Sequence, residues 1–192
     1  MDWYCVMVKS GGEKAFKKDF EEALTRSRAA NKSLPDAKAV FFMKKMRDSK
    51  RREFEQALFP GYVFLSAGSV DAPLLQAVKK CRGFYRFLNA NDDIQKLQGK
   101  DFDYLSNLMK FGETQGISQA AFDENQRIVI KSGPLLGFEG QIVKVNRKRG
   151  RATVQIDLCN NEMKFDLAFE EISLNESART AANLSVICSS SL

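Results

Sequence analysis

Lys144, Arg147, Lys148, Arg149 and Arg151 put five cations into eight residues, with no acid among them. Side chains of this kind bind phosphate. Lysine acts as a compact point charge, and arginine as a planar fork that grips two oxygens at once. Such density in a short polar turn points to contact with a nucleic-acid backbone. Two more basic clusters lie upstream. Lys44, Lys45, Arg47, Lys50, Arg51 and Arg52 surround a turn at 48–50 and read as a solvated hairpin tip or as a phosphate contact. Lys79, Lys80 and Arg82 close an expected helix, where the helix dipole favours cations whether or not they also touch a polyanion.

The residue types needed for catalysis are largely missing. The chain has no histidine, so it lacks both the usual general base near neutral pH and the commonest metal ligand. Cys5, Cys81, Cys159 and Cys188 are scattered and form no Cys-x-x-Cys pair. That spacing argues against structural zinc and for reduced, mostly buried thiols. Asp92-Asp93 and Glu170-Glu171 are sequence neighbours whose side chains point apart, which does not make a catalytic dyad. Gly133, Gly137 and Gly140 are not followed by Gly-Lys-Ser/Thr, so no phosphate loop is expected. The expected chemistry is binding, without enzyme activity, metal or cofactor.

The basic turn needs strands to hold it. Gln141–Val145 and Ala152–Ile156 flank it, Arg127–Lys131 precedes them, and all three runs alternate with glycine-containing turns between. A second dense signal is Leu58-Phe59-Pro60-Gly61-Tyr62-Val63-Phe64-Leu65. Alternation puts Tyr62 and Phe64 on one face and Val63 and Leu65 on the other. Both faces are apolar. The strand is therefore either central and covered on both sides, or open on one face as an aromatic docking patch.

Around these segments the pattern predicts strands at Trp3–Val8, Val40–Arg47, Tyr62–Ser66 and Gly83–Leu88. It predicts helices at Glu13–Leu24, Asp71–Lys80 and Asp101–Phe111. The order β-α-β-β-α-β-α implies an α+β fold, an antiparallel sheet with helices packed on it, over residues 1–112. Residues 113–125 are polar and read as a linker. Residues 126–175 read as a small all-β barrel, and 176–192, rich in Ser, Ala and Asn, as a disordered tail.

Charge is unevenly spread. Residues 1–112 hold 21 basic and 14 acidic side chains, and 113–192 hold 9 and 10. The positive field belongs to the N-terminal part, and the C-terminal part has a local patch only. This fits a polyanion partner. The start MDWYCVMVKS does not read as a signal peptide, and no run is long enough for a membrane span. The cytoplasm is the expected compartment.

Two segments together resemble a known family. Trp3-Tyr4, Gly11, Phe59-Pro60-Gly61-Tyr62-Val63 and Gly83-Phe84-Tyr85-Arg86-Phe87 look like the N-terminal (NGN) domain of NusG-type transcription elongation and antitermination factors. Residues 131–156, from Lys131-Ser132-Gly133-Pro134 to Ile156, look like their SH3-like KOW barrel. The resemblance implies an apolar patch of Met7, Phe59, Tyr62, Phe64 and Phe84 that binds the clamp helices of the largest RNA polymerase subunit. It implies that Lys79, Lys80 and Arg82 approach the non-template DNA strand. Arg86-Phe87 stands where housekeeping members often carry Gly-Phe, which is closer to specialised paralogues of the LoaP and RfaH type. Residues 157–164 lack the aromatic that housekeeping factors present to Rho or ribosomal protein S10. The basic turn Lys144–Arg151 suits the contact with a leader RNA hairpin made by LoaP-like antiterminators. A general housekeeping factor and a ribosome-associated RNA-binding KOW protein are the alternatives.

Overall fold

Alternation along the first strand sets the plan of the N-terminal half. β1 (Asp2–Val8) turns Tyr4, Val6 and Val8 to one side. These meet Phe16, Phe20 and Leu24 of α1 (Glu13–Ala29), which recur at helical spacing and are buried. Phe16 and Phe20 are parallel, with centroids 6.4 Å apart. Burying each ring is worth about 1.5–3 kcal/mol. The computed structural model describes residues 1–29, 34–48, 50–88, 94–158 and 161–173.

Five more strands and two helices follow in this half: β2 (Ala37–Val40), β3 (Met43–Arg47), β4 (Glu53–Ala57), β5 (Tyr62–Ala67), α2 (Ala72–Lys79), β6 (Phe84–Phe87) and α3 (Lys100–Met109). The main sheet has the order β2-β5-β1-β6, and its strand pairs are antiparallel. Asp71 caps α2 by accepting a hydrogen bond from the Leu74 N–H at 3.0 Å. Leu74 and Val78 of α2 join α1 on the same side of the sheet. The expected single strand at 40–47 is two strands, because Phe42 between them is buried and its carbonyl accepts from Leu58 N at 2.8 Å.

The loop before β5 is fixed by a carboxylate. Glu13, at the start of α1, is buried, and its Oε1 accepts from Gly61 N at 2.5 Å and Gly11 N at 3.1 Å. Gly61 has φ +87° and its carbonyl accepts from Val8 N at 2.8 Å. A Cβ there would lie 3.2 Å from the Val8 carbonyl, so both the conformation and the close approach call for glycine.

The C-terminal half is β-rich. β8 (Ser118–Phe122), β9 (Ile128–Ser132), β10 (Ile142–Asn146), β11 (Arg151–Leu158) and β12 (Asn161–Glu171) form a sheet in the order β10-β11-β12-β8-β9. β8 runs parallel to β12 and antiparallel to β9. β7 (Thr114–Gln115) joins β3 and β4 in a three-stranded sheet. The segment 113–125, expected as a linker, thus contains β7 and β8. Its buried residues are small (Ser118, Ala120, Ala121) or polar (Gln115), so they leave no strong apolar signature. The expected tail at 176–192 lies outside the described residues.

The chain divides into two compact units. One comprises Met1–Lys44, Gln56–Thr114 and Asp157–Met163. The other comprises Lys45–Glu55, Gln115–Ile156 and Lys164–Leu192. The overall class is α+β, a sheet-and-helix half followed by a β-rich half.

Candidate functional site

The basic turn is built between β10 and β11. Arg147–Arg149 form a single 3-10 turn, in which the Asn146 side chain accepts from Arg149 N at 3.0 Å. Gly150, at φ +58°, ends it. The Gly150 carbonyl accepts from Phe169 N at 2.8 Å, which pins the turn to β12.

The five cations of this turn do different things. Arg147 lies over the Phe122 ring, 4.3 Å from its centroid. Its guanidinium also donates to both carboxylate oxygens of Glu171 and, at 2.8 Å, to Gln126 Oε1. The hydrogen bond from Arg147 holds the Glu171 carboxyl below the usual carboxylate range. Arg151 is half-buried and donates to the Arg47 carbonyl at 2.8 Å. Both arginines hold the turn in place, a structural role beside the expected ligand contact, and Arg147 remains exposed. Lys144, Lys148 and Arg149 are exposed and, among the described residues, form no ion pair.

The second basic cluster divides in the same way. Arg82 grips Asp19 of α1 with Nε at 2.8 Å and a terminal nitrogen at 2.7 Å, and its backbone N–H adds a third bond at 2.9 Å. The Arg82 side-chain hydrogen bonds, followed by the backbone one, lower the Asp19 carboxyl to about 2. Arg82 is therefore committed to a carboxylate, whereas Lys79 and Lys80 are exposed at the end of α2. Between α1 and α2 lies a cavity of about 640 Å³ lined by Asp19, Glu22, Arg26, Ala77, Lys80 and Cys81, among others. The Cys81 thiol donates to the Ala77 carbonyl at 3.3 Å, and burial pushes it up to about 12.

The expected aromatic patch is only partly at the surface. Met7 and Tyr62 are cross-strand partners and half-buried. Phe64 shares their face but is 1% exposed, and Phe59 is 5% exposed. With Phe42 these two rings form a cluster with centroids 5.6 to 6.4 Å apart. Phe84 is half-buried against the helix-side core, edge-on to Phe87 at 6.1 Å. β5 is thus covered on both faces, so its two apolar faces do not leave Phe59 and Phe64 open for docking. Tyr85, on the edge strand β6, is 61% exposed.

Comparison with known proteins fits this arrangement. The profile of the family described as Transcription termination factor nusG matches residues 1–106, and that of the KOW motif matches residues 124–157. The chain belongs to the NusG family. It is 22% identical to the Transcription termination/antitermination protein NusG of Borreliella burgdorferi, over 88% of this chain and 96% of that one. It is 23% identical to the protein of the same description from Thermus thermophilus, over 90% and 97%. A solved structure, "Domain interaction in Thermotoga maritima NusG", is similar in fold with a TM-score of 0.56 and 21% identity, over 87% of this chain and 93% of that one. These relatives are transcription termination/antitermination proteins, and no catalytic family is indicated.

Within this NusG-family frame, sequence reasoning missed the residues that aim the cations. Asp19, Phe122, Gln126 and Glu171 are each remote in sequence from the arginine they hold. Gln126, one of two non-glycine residues with positive φ among those described, at +61°, carries no pattern signal of its own. Cys5 and Cys81 are buried free thiols, while Cys159 lies outside the described residues, as does Cys188. Among the described residues no helix is long and apolar enough to cross a membrane, and no group of His, Cys, Asp or Glu could hold a metal ion.

Proposed function

We propose that this chain is an elongation factor that binds the clamp helices of RNA polymerase, suppresses pausing and promotes processive antitermination of a particular operon. The observation that carries the reading is the succession of two matched segments, 1–106 and 124–157, on one chain. Polymerase docking falls to a domain over 1–112, through the half-exposed pair Met7 and Tyr62. A KOW domain over 126–175, with β8 added to its sheet, presents Lys144, Lys148 and Arg149 to a leader RNA hairpin. Lys79 and Lys80 contact the non-template DNA strand. The protein acts as a ligand that prefers the closed clamp, which shifts the polymerase population toward that state. The absence of an aromatic in 157–164 supports a specialised member that does not engage Rho or ribosomal protein S10.

The deciding experiment is run-through of a terminator by purified polymerase, with and without the protein, on templates that differ only in leader RNA. Run-through restricted to one leader is the expected result. The same run-through on every leader would favour a general factor, the second reading supported by the relatives named NusG. Met7→Ala with Tyr62→Ala should abolish polymerase binding while leaving the fold intact. Full retention of binding would overturn the docking assignment.

A further inference from the structure

We propose that the tip of the β3–β4 hairpin, through Lys50 and Arg51, is a second contact for nucleic-acid phosphates, in addition to the basic turn at Lys148 and Arg149. The inference rests on the RNA contact proposed above and extends it to a segment about a hundred residues earlier in the chain.

A hydrogen bond joins the strands that flank the two loops. Residues Lys45–Glu55 belong to the same compact unit as Gln115–Ile156. Arg151, directly after the basic turn, donates to the carbonyl of Arg47, directly before the hairpin tip, at 2.8 Å. Arg47 pairs with Glu53 at 3.1 Å and with Glu170 at 3.5 Å. The next residue, Glu171, holds Arg147. The end of β12 thus holds one arginine from each loop region, through side chains that alternate along the strand.

Those pairings also engage the acids near the tips. Arg47 bridges Glu53 and Glu170, one positive charge between two negative ones, and Arg147 pairs with Glu171. Asp48 accepts from Lys50 N at 2.8 Å, Arg52 N at 2.9 Å and Arg52 Nε at 2.8 Å. Charges left over at the two tips are Lys50, Arg51, Lys148 and Arg149, all exposed and, among the described residues, in no ion pair. The Asp48 carboxylate thus holds Lys50 and Arg52 close to the end of β3. Arg51 sits in it at φ +60°, a conformation that favours glycine. A cation at such a position costs backbone strain, and that cost at an exposed arginine motivates a functional reading of its charge.

The test uses the full chain, a labelled RNA stem-loop and a DNA duplex of the same stem sequence, across a salt series. Lys50→Ala with Arg51→Gly removes both charges and suits the left-handed backbone. Lys148→Ala with Arg149→Ala is the parallel variant for the basic turn. Each pair should weaken RNA binding several-fold and reduce the salt slope by about two. Lys50→Arg with Arg51→Lys, which keeps both charges, should bind like the unaltered chain. An equal loss on RNA and DNA supports a contact with the backbone common to both, and a loss confined to RNA supports a contact with the RNA stem. Unchanged affinity and slope in the hairpin variant, beside a loss in the turn variant, overturns this inference and leaves the proposed RNA contact standing. No change in either variant overturns both. A loss of equal size in the charge-keeping variant also overturns it, since charge would not then be what matters.

Discussion

Arg82 shows how one distant carboxylate changes what a basic cluster can do. Lys79, Lys80 and Arg82 were legible in the sequence as a cluster, but Asp19 lies 63 residues away and no local pattern pairs it with Arg82. Replacing Asp19 with Asn keeps the size and removes the charge that holds the guanidinium. Nucleic-acid affinity should rise, with the salt slope increasing by about one as Arg82 becomes available. Filter binding or anisotropy at several salt concentrations checks this, and an unchanged slope would show that Arg82 has no phosphate to reach. The pair also predicts a pH effect. Asp19 is lowered to about 2 in the folded chain. Its contribution to stability is therefore complete above the usual carboxylate range and is lost as pH falls toward about 2. Urea titrations from about pH 5 downward should show a steeper loss for the unaltered chain than for Asp19→Asn.

At the scale of elements, strands announced by β-branched alternation were legible, and strands made of small residues were not. β9, β10 and β11 stand within a residue or two of the runs that predict them. β8 reads SQAAF, and its burial comes from Ser118, Ala120 and Ala121 fitting between β9 and β12. Small size matters there rather than hydrophobicity, so polarity alone suggests a linker. β5 is the opposite case. Its two apolar faces left open whether it was covered, and only packing put Phe59 and Phe64 inside. The turn glycines give a sharper expectation. A Cβ on Gly150 would stand 2.5 Å from the Phe169 carbonyl oxygen, at a backbone φ of +58°. Gly140 has open space and no positive φ. Gly150→Ala should therefore cost about 1–3 kcal/mol, and Gly140→Ala close to nothing. Thermal unfolding of the two variants side by side checks the contrast, and equal melting temperatures would contradict the pinning of the turn to β12.

For the whole molecule, the two proposed surfaces differ in physics, and salt separates them. The positive excess lies in residues 1–112, yet the docking pair there, Met7 and Tyr62, is uncharged. Binding through such a pair draws on apolar burial, which moderate salt barely changes. Binding through Lys144, Lys148 and Arg149 displaces counterions from phosphates, and its affinity falls log-linearly with salt. Between about 50 and 200 mM salt, three such contacts lose roughly a factor of 40 in affinity. Polymerase binding measured over the same range should change far less. The measurement is a pair of titrations with one protein stock, one against polymerase without nucleic acid and one against an RNA stem-loop. Parallel salt curves would mean that the polymerase contact is itself electrostatic, and the Met7–Tyr62 surface would lose its role. A flat polymerase curve beside a steep RNA curve would assign apolar docking and phosphate contact to separate parts of the chain.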